Sequence, residues 1–164
     1  MEFSFFVALG SNLQNPTAQL LEARKRLSSF FTELKPSSLY QTPPWGFVNQ
    51  DDFINAVIKF KSSLNPFEVL EILQKIENEM GRVRSFKYAP RLIDLDLLTY
   101  EDLEINTEKL TIPHPLIKER AFVLIPLLEI APQLEIKGQG IVKDLANKCD
   151  RMGINKIFQP LWKF

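Results

Sequence analysis

Twice in this chain an Asn-Pro dipeptide, at Asn15-Pro16 and at Asn65-Pro66, separates a short apolar run from a stretch of helical spacing. Asparagine accepts from the free N–H groups of a first helical turn, and proline at the first helical position forfeits no hydrogen bond. Both dipeptides therefore read as helix starts. Before the first, Phe5-Phe6-Val7-Ala8-Leu9 ends in Gly10-Ser11-Asn12, the pattern of a buried strand leaving into a turn. After it, Leu20, Leu21, Ala23, Leu27 and Phe30 recur at roughly helical intervals. Before the second, residues 53–60 alternate with period two, which places Phe53 and Asn55 on one side of a strand. After it, Val69, Leu70, Leu73, Ile76, Glu77 and Met80 form a second helical face that Gly81 can close.

Leu34 to Tyr40 reads as one short strand, followed by a long loop through Thr42-Pro43-Pro44-Trp45-Gly46, where two prolines forbid a helix. Leu92 to Leu98 is a further strand, so the order becomes β-α-β-β-α-β. That is the ferredoxin-like pattern, an α+β fold in which two helices pack on one face of an antiparallel sheet. Beyond residue 100 we expect C-terminal additions. These are a hairpin strand near Glu104-Ile105, a helix over Ala121 to Ile130 that starts or kinks at Pro126, and a last strand within Ile154 to Phe158. With 164 residues, 45% of them hydrophobic, one domain spanning 1–164 is expected.

Twenty basic and twenty acidic side chains cancel, so no net field draws in a polyanion and any anion site must be local. The first residues carry no basic leader or long apolar core, and Cys149 is the only cysteine, which excludes an intramolecular disulfide or a thiolate metal cluster. A soluble protein of the reducing cytoplasm is expected, with a monomer as the default state.

On the strand from Leu92, Asp94 and Asp96 project from one face while Ile93, Leu95 and Leu97 face the other. Adjacent carboxylates repel unless a cation lies between them, and magnesium favours such hard oxygen ligands together with water and phosphate. An exposed strand face is the competing reading. The preceding residues 81–91 weigh against it, because Arg82, Arg84, Lys87 and Arg91 place cations beside the acidic pair, and arginine forks match phosphate oxygens. Together they point to phosphoryl transfer from a magnesium-bound nucleotide. Neither the P-loop nor the Gly-x-Gly-x-x-Gly signature is present. His114, the only histidine, sits between Pro113 and Pro115; as a neutral ring it can donate a hydrogen bond to phosphate.

These residues resemble a known family, the 6-hydroxymethyl-7,8-dihydropterin pyrophosphokinases of folate biosynthesis. The resemblance runs through Ala8-Leu9-Gly10-Ser11-Asn12-Leu13, Tyr40-Gln41-Thr42-Pro43-Pro44, Asn55-Ala56, Gly81-Arg82-Val83-Arg84, Pro90 to Asp96, Leu110 to Pro115 and Pro126-Leu127. It implies that ATP gives its β,γ-diphosphate to the pterin hydroxymethyl oxygen, leaving AMP. Two magnesium ions would be held by Asp94 and Asp96, with Arg82 and Arg91 as further catalytic residues on the phosphates. ATP would contact Gln74, Glu77, Arg84, Tyr88, Leu97, Lys109, Thr111, His114 and Arg120. Pterin would stack between Phe53 and Phe122, with Asn55 reading its polar edge and Thr42, Pro43 and Trp45 contributing backbone groups.

Some positions depart from the family pattern. Tyr88 stands where many relatives have tryptophan, Lys109 replaces a frequent arginine, Phe53 a frequent tyrosine, and Pro115 an aromatic seen in some members. The alternative function is a ferredoxin-like module that binds single-stranded nucleic acid without catalysis. Neutral charge, the missing aromatic RNA-binding signature and the acidic strand disfavour it.

Overall fold

The computed structural model describes residues 1–44, 49–81 and 92–162. Its first strand, β1 (Phe3–Ser11), leads into helix α1 (Pro16–Leu27), then β2 (Thr32–Pro36), β3 (Leu39–Thr42), β4 (Phe53–Ser62), helix α2 (Pro66–Glu79) and β5 (Asp94–Tyr100). Both Asn-Pro caps form. The Asn15 side chain accepts from Ala18 N–H at 3.4 Å with the cap residue left-handed at φ 61°. Asn65 forms a reciprocal capping box with Glu68, 2.9 Å in each direction.

The main sheet runs β10-β3-β4-β1-β5, where β10 is the late strand Asn155–Ile157, with β2 also pairing β4. Its pairings are antiparallel. This is the ferredoxin-like α+β arrangement expected. α1 and α2 cover one face, where Leu20, Leu27, Val69, Leu73 and Ile76 meet Phe5, Val7, Leu9, Ile58 and Phe60 in the larger apolar cluster.

Further along the chain come β6 (Ile105–Asn106) and β7 (Thr111–Ile112), a two-stranded hairpin, then a 3-10 turn (Ile117–Glu119) and helix α3 (Ala121–Ile130). A second small hairpin, β8 (Glu135–Ile136) with β9 (Gly140–Ile141), precedes helix α4 (Val142–Lys148), and β10 (Asn155–Ile157) pairs with β3. α3 and α4 pack on the opposite face of the sheet, where Val123, Leu124, Leu127, Val142 and Ala146 bury Phe6, Ala8, Val57 and Leu98. The additions thus supply a third layer.

Three details differ from the sequence reading. The strand expected over Leu34 to Tyr40 is two strands, interrupted at Ser37. That serine still serves the ladder, because its N–H donates to Val57 O at 2.8 Å and its hydroxyl accepts from Val57 N–H at 2.9 Å. α3 has the expected bounds, Ala121–Ile130, but of the two roles offered for Pro126 a helix start is not observed: Arg120 is the cap and Pro126 is buried inside. Finally, β5 begins at Asp94, two residues later than expected.

Candidate functional site

The site is built on the sheet face that α3 and α4 only partly cover. Gly10 near the end of β1 is the register partner of Asn55 on β4 and of Asp94 on β5. Cross-strand partners point to the same face, so Asn55, the bare position at Gly10 and Asp94 form a row. Two inter-strand steps set Asn55 and Asp94 roughly 10 Å apart at the backbone. One step along, Ala8 pairs with Asp96 and Val57, so the second carboxylate lies beside the first with only a methyl group next to it.

Gly10 is required at the centre of this row. A Cβ there would stand 2.4 Å from Asn55 Oδ1. The Asn55 amide therefore leans over the glycine, and its Nδ2 donates to Thr42 Oγ1 at 2.6 Å. Both residues are buried, so the amide is oriented before any ligand arrives. Phe53, two residues from Asn55, shares its face and is half-buried. Phe122 enters from the first turn of α3 and is also half-buried.

Arg120 ties these parts together. Its Nη1 lies 3.9 Å from Asp96 Oδ2, and its guanidinium carbon is 5.6 Å from the centre of the Phe122 ring. Beside it, His114 is anchored to β5, its backbone N–H donating to Leu98 O at 2.8 Å. Burial, and secondly the Arg120 charge, hold the His114 imidazole down at about 4, so the ring is neutral at physiological pH. Its Nδ1 accepts from Leu116 N–H at 3.2 Å, which leaves Nε2 as the N–H donor. A neutral donor beside an arginine suits a phosphate.

The far end of α3 is tethered as well. Glu129 accepts from Ser38 N–H and Oγ at 2.7 Å each and from the Tyr40 hydroxyl at 2.8 Å, with Lys156 Nζ at 3.7 Å. Burial alone would raise the Glu129 carboxyl, but these donors bring it below its ordinary value. The helix carrying Phe122 is thereby pinned to β3 and β10.

Lys109, next to the β6–β7 hairpin, faces Glu71 of α2 at 3.8 Å, and exposed Gln74 follows one turn later on that helix. Thr111 begins β7 and is half-buried. These polar groups gather along the β5 side of the sheet. Leu97 differs from its neighbours: it is 4% exposed within the α1/α2 cluster, so its side chain faces away from the aspartates. Glu77 is also buried, at 4%, and accepts from Leu95 N–H at 2.8 Å. Pro43 is exposed and lies against Gly153. Trp45, Arg82, Arg84, Tyr88 and Arg91 lie outside the described residues.

Asp94 and Asp96 are both half-exposed, and no group of three or more His, Cys, Asp or Glu among the described residues could hold a metal ion. Two carboxylates on one face suit magnesium, which retains waters and takes phosphate oxygens; they would not make a closed protein cage. A separate polar cleft of about 650 Å³ is lined by Asn12, Gln14, Gln41, Gln50, Asp51 and Asp52 among others. None of the predicted site residues lines it. Asn12 Nδ2 donates to Gln50 Oε1 at 2.8 Å and to Asp51 O at 3.1 Å, while Asn12 Oδ1 and the Ser11 hydroxyl are buried without hydrogen-bond partners among the described residues. The strand expected to leave into a turn at Gly10-Ser11-Asn12 continues through Ser11.

Comparison with known proteins identifies relatives of the whole chain. The family model for 7,8-dihydro-6-hydroxymethylpterin-pyrophosphokinase (HPPK) matches residues 6–132. The chain is 41% identical over 154 residues to 2-amino-4-hydroxy-6-hydroxymethyldihydropteridine pyrophosphokinase of Methylorubrum extorquens, covering 93% of this chain and 97% of that protein. The enzyme of the same name from Bacillus subtilis is 46% identical over 132 residues, 79% of each chain. Among solved structures, the wild-type HPPK-DHPS of Plasmodium falciparum with pterin and p-hydroxybenzoate superposes with a TM-score of 0.77 at 16% identity. That match covers 97% of this chain but 46% of the longer one, and it speaks for the fold. The fold, the motifs from Gly10 to His114 and the extent of these matches place the chain in the 7,8-dihydro-6-hydroxymethylpterin-pyrophosphokinase family.

Proposed function

We propose that this chain transfers the β,γ-diphosphate of ATP to the hydroxymethyl oxygen of 6-hydroxymethyl-7,8-dihydropterin, with magnesium, as a step of folate biosynthesis. The observation that carries this reading is the row Asn55–Gly10–Asp94, which sets a preorganised amide and a carboxylate pair on one face with a side-chain-free gap between them. The amide offers a donor and an acceptor to a heterocycle edge, and Phe53 and Phe122 offer rings to stack on its faces. In this reading the pterin lies at the Asn55 end and the triphosphate at the Asp94 end.

Asp94 and Asp96 would hold two magnesium ions, whose charge would offset that of the triphosphate as the α,β bridge breaks and AMP departs. His114 Nε2 and Arg120 would bind phosphate oxygens, and Arg82 and Arg91 would join them. Gln74, Lys109 and Thr111, gathered along β5, would meet the nucleoside end, with Arg84 and Tyr88 contributing. Catalysis is then positioning and charge stabilisation rather than proton transfer from a dedicated base.

The nucleic-acid-binding alternative has no comparable support, since the relatives are pyrophosphokinases and the open sheet face carries Asp94 and Asp96. Replacing Asp94 or Asp96 by asparagine should lower turnover at least about a hundredfold while circular dichroism stays unchanged. Near-normal rates in both variants would remove the carboxylate pair from the reaction.

A further inference from the structure

His114 is held by three hydrogen bonds, and one of them comes from far along the chain. Its backbone N–H donates to the Leu98 carbonyl of β5, and its ring Nδ1 accepts from Leu116 N–H. The His114 carbonyl accepts from Gln139 Nε2 at 2.9 Å. Gln139 Oε1 in turn accepts from Lys118 N–H at 2.8 Å, so a single side-chain amide spans both ends of the segment 114–118.

Gln139 stands at the tip of the β8–β9 hairpin, between Gly138 at φ 79° and Gly140 at φ 138°. Glycine adopts such values at little cost, which lets the hairpin turn tightly and present the intervening side chain to its neighbour. Ile136 below the tip and Ile117 within the 114–118 segment are both fully buried in the apolar cluster under α3 and α4. The hairpin and the segment are therefore seated against the same core, whatever the polar contacts do.

The backbone closure of the segment itself is weak, since Ile117 N–H reaches His114 O only at 3.4 Å. The two bonds from Gln139 are shorter and lie in the ordinary range, so they set the shape of the turn more firmly than its own backbone does. That shape brings Leu116 N–H to Nδ1, and the bond at Nδ1 fixes which ring nitrogen carries the proton.

We infer that Gln139 is a positioning residue for His114, clasping the 114–118 turn so that the imidazole presents Nε2–H to a phosphate oxygen. The inference rests on the phosphate role proposed for His114, and its test separates the two. Gln139→Met keeps the reach and bulk of the side chain but neither hydrogen bond. Because this chain has one histidine, NMR of its ring nitrogens in the ligand-free protein reads the imidazole without overlap. Calorimetric titration with a non-hydrolysable ATP analogue and magnesium reads the phosphate site.

Gln139→Met should move the ring nitrogen shifts towards those of an imidazole exchanging between tautomers, and should weaken the analogue about three- to tenfold, the span of one hydrogen bond. In a His114→Ala background the same substitution should cost nothing further, because its effect passes through the ring. Unchanged ring shifts, an unchanged affinity, or an equal loss in both backgrounds would each overturn the role of Gln139. His114→Ala alone is the reference. If it leaves affinity unchanged, the phosphate role of His114 is wrong and this inference falls with it, whereas a loss there with none in Gln139→Met removes Gln139 only.

Discussion

Asn55 and Asp94, on strands that never touch, are both register partners of Gly10, so an amide and a carboxylate face the same side across one residue without a side chain. The gap between them depends on that absence. In Gly10→Ala the new methyl would lie 2.4 Å from Asn55 Oδ1, and the amide cannot simply rotate away because Thr42 holds its other end. We expect pterin affinity to fall at least about tenfold, with a stability loss of roughly 1–3 kcal/mol from overpacking. Affinity for an ATP analogue should change little. Calorimetric titration with each ligand distinguishes this outcome from an equal loss of both, which would mean general disruption.

His114 provides a pH signature. Its folded-state value of about 4 lies below the ordinary 6.5, so between these values the unfolded chain binds the proton that the folded chain refuses. Stability from this group is complete above about pH 6.5 and is lost as pH falls towards 4, by up to roughly 3 kcal/mol. In His114→Gln this contribution to the slope should vanish, so urea unfolding at pH 7 and pH 5 should differ less than in the wild type. An unchanged difference would show that the imidazole is not held neutral.

The C-terminal segment is locked by a buried cation. Arg24 is 3% exposed, binds Glu33 through two hydrogen bonds of 2.8 and 2.9 Å, donates to the Trp162 carbonyl and stacks over the Trp162 ring at 4.5 Å. Trp162 Nε1 in turn donates to Ser37 O at 2.7 Å. Arg24→Ala and Trp162→Ala should each cost roughly 3 kcal/mol. The double variant should cost less than their sum by about 0.5–3 kcal/mol, because each removes the same contact. Strict additivity in urea melts would contradict the lock.

Much of the fold is legible in the residues themselves. Apolar runs, period-two alternation and helical spacing, with the two Asn-Pro caps, place β1, α1, β4, α2 and β5 in order along the chain. The break at Ser37 is not legible, since a serine standing in for the ladder is a tertiary event, contingent on Val57 lying opposite. Nor is the pairing of β10 with β3, which joins segments more than 100 residues apart. Within the site, Asp94 and Asp96 could be read from strand alternation. The row with Asn55 could not, because it needs two registers at once. The surroundings of Leu97 and Glu77 are likewise tertiary: Leu97 is buried in the α1/α2 cluster, and Glu77 is buried on α2 where it accepts from Leu95 N–H.

The proposed diphosphate transfer from ATP to a pterin alcohol joins the carboxylate pair and the Asn55 amide in one reaction. Its most direct test is the identity of the nucleotide product when the protein is incubated with ATP, magnesium and 6-hydroxymethyl-7,8-dihydropterin. AMP should form in proportion to pterin diphosphate and should be absent when the pterin is omitted. ADP as the product, or no pterin-dependent turnover, would contradict it.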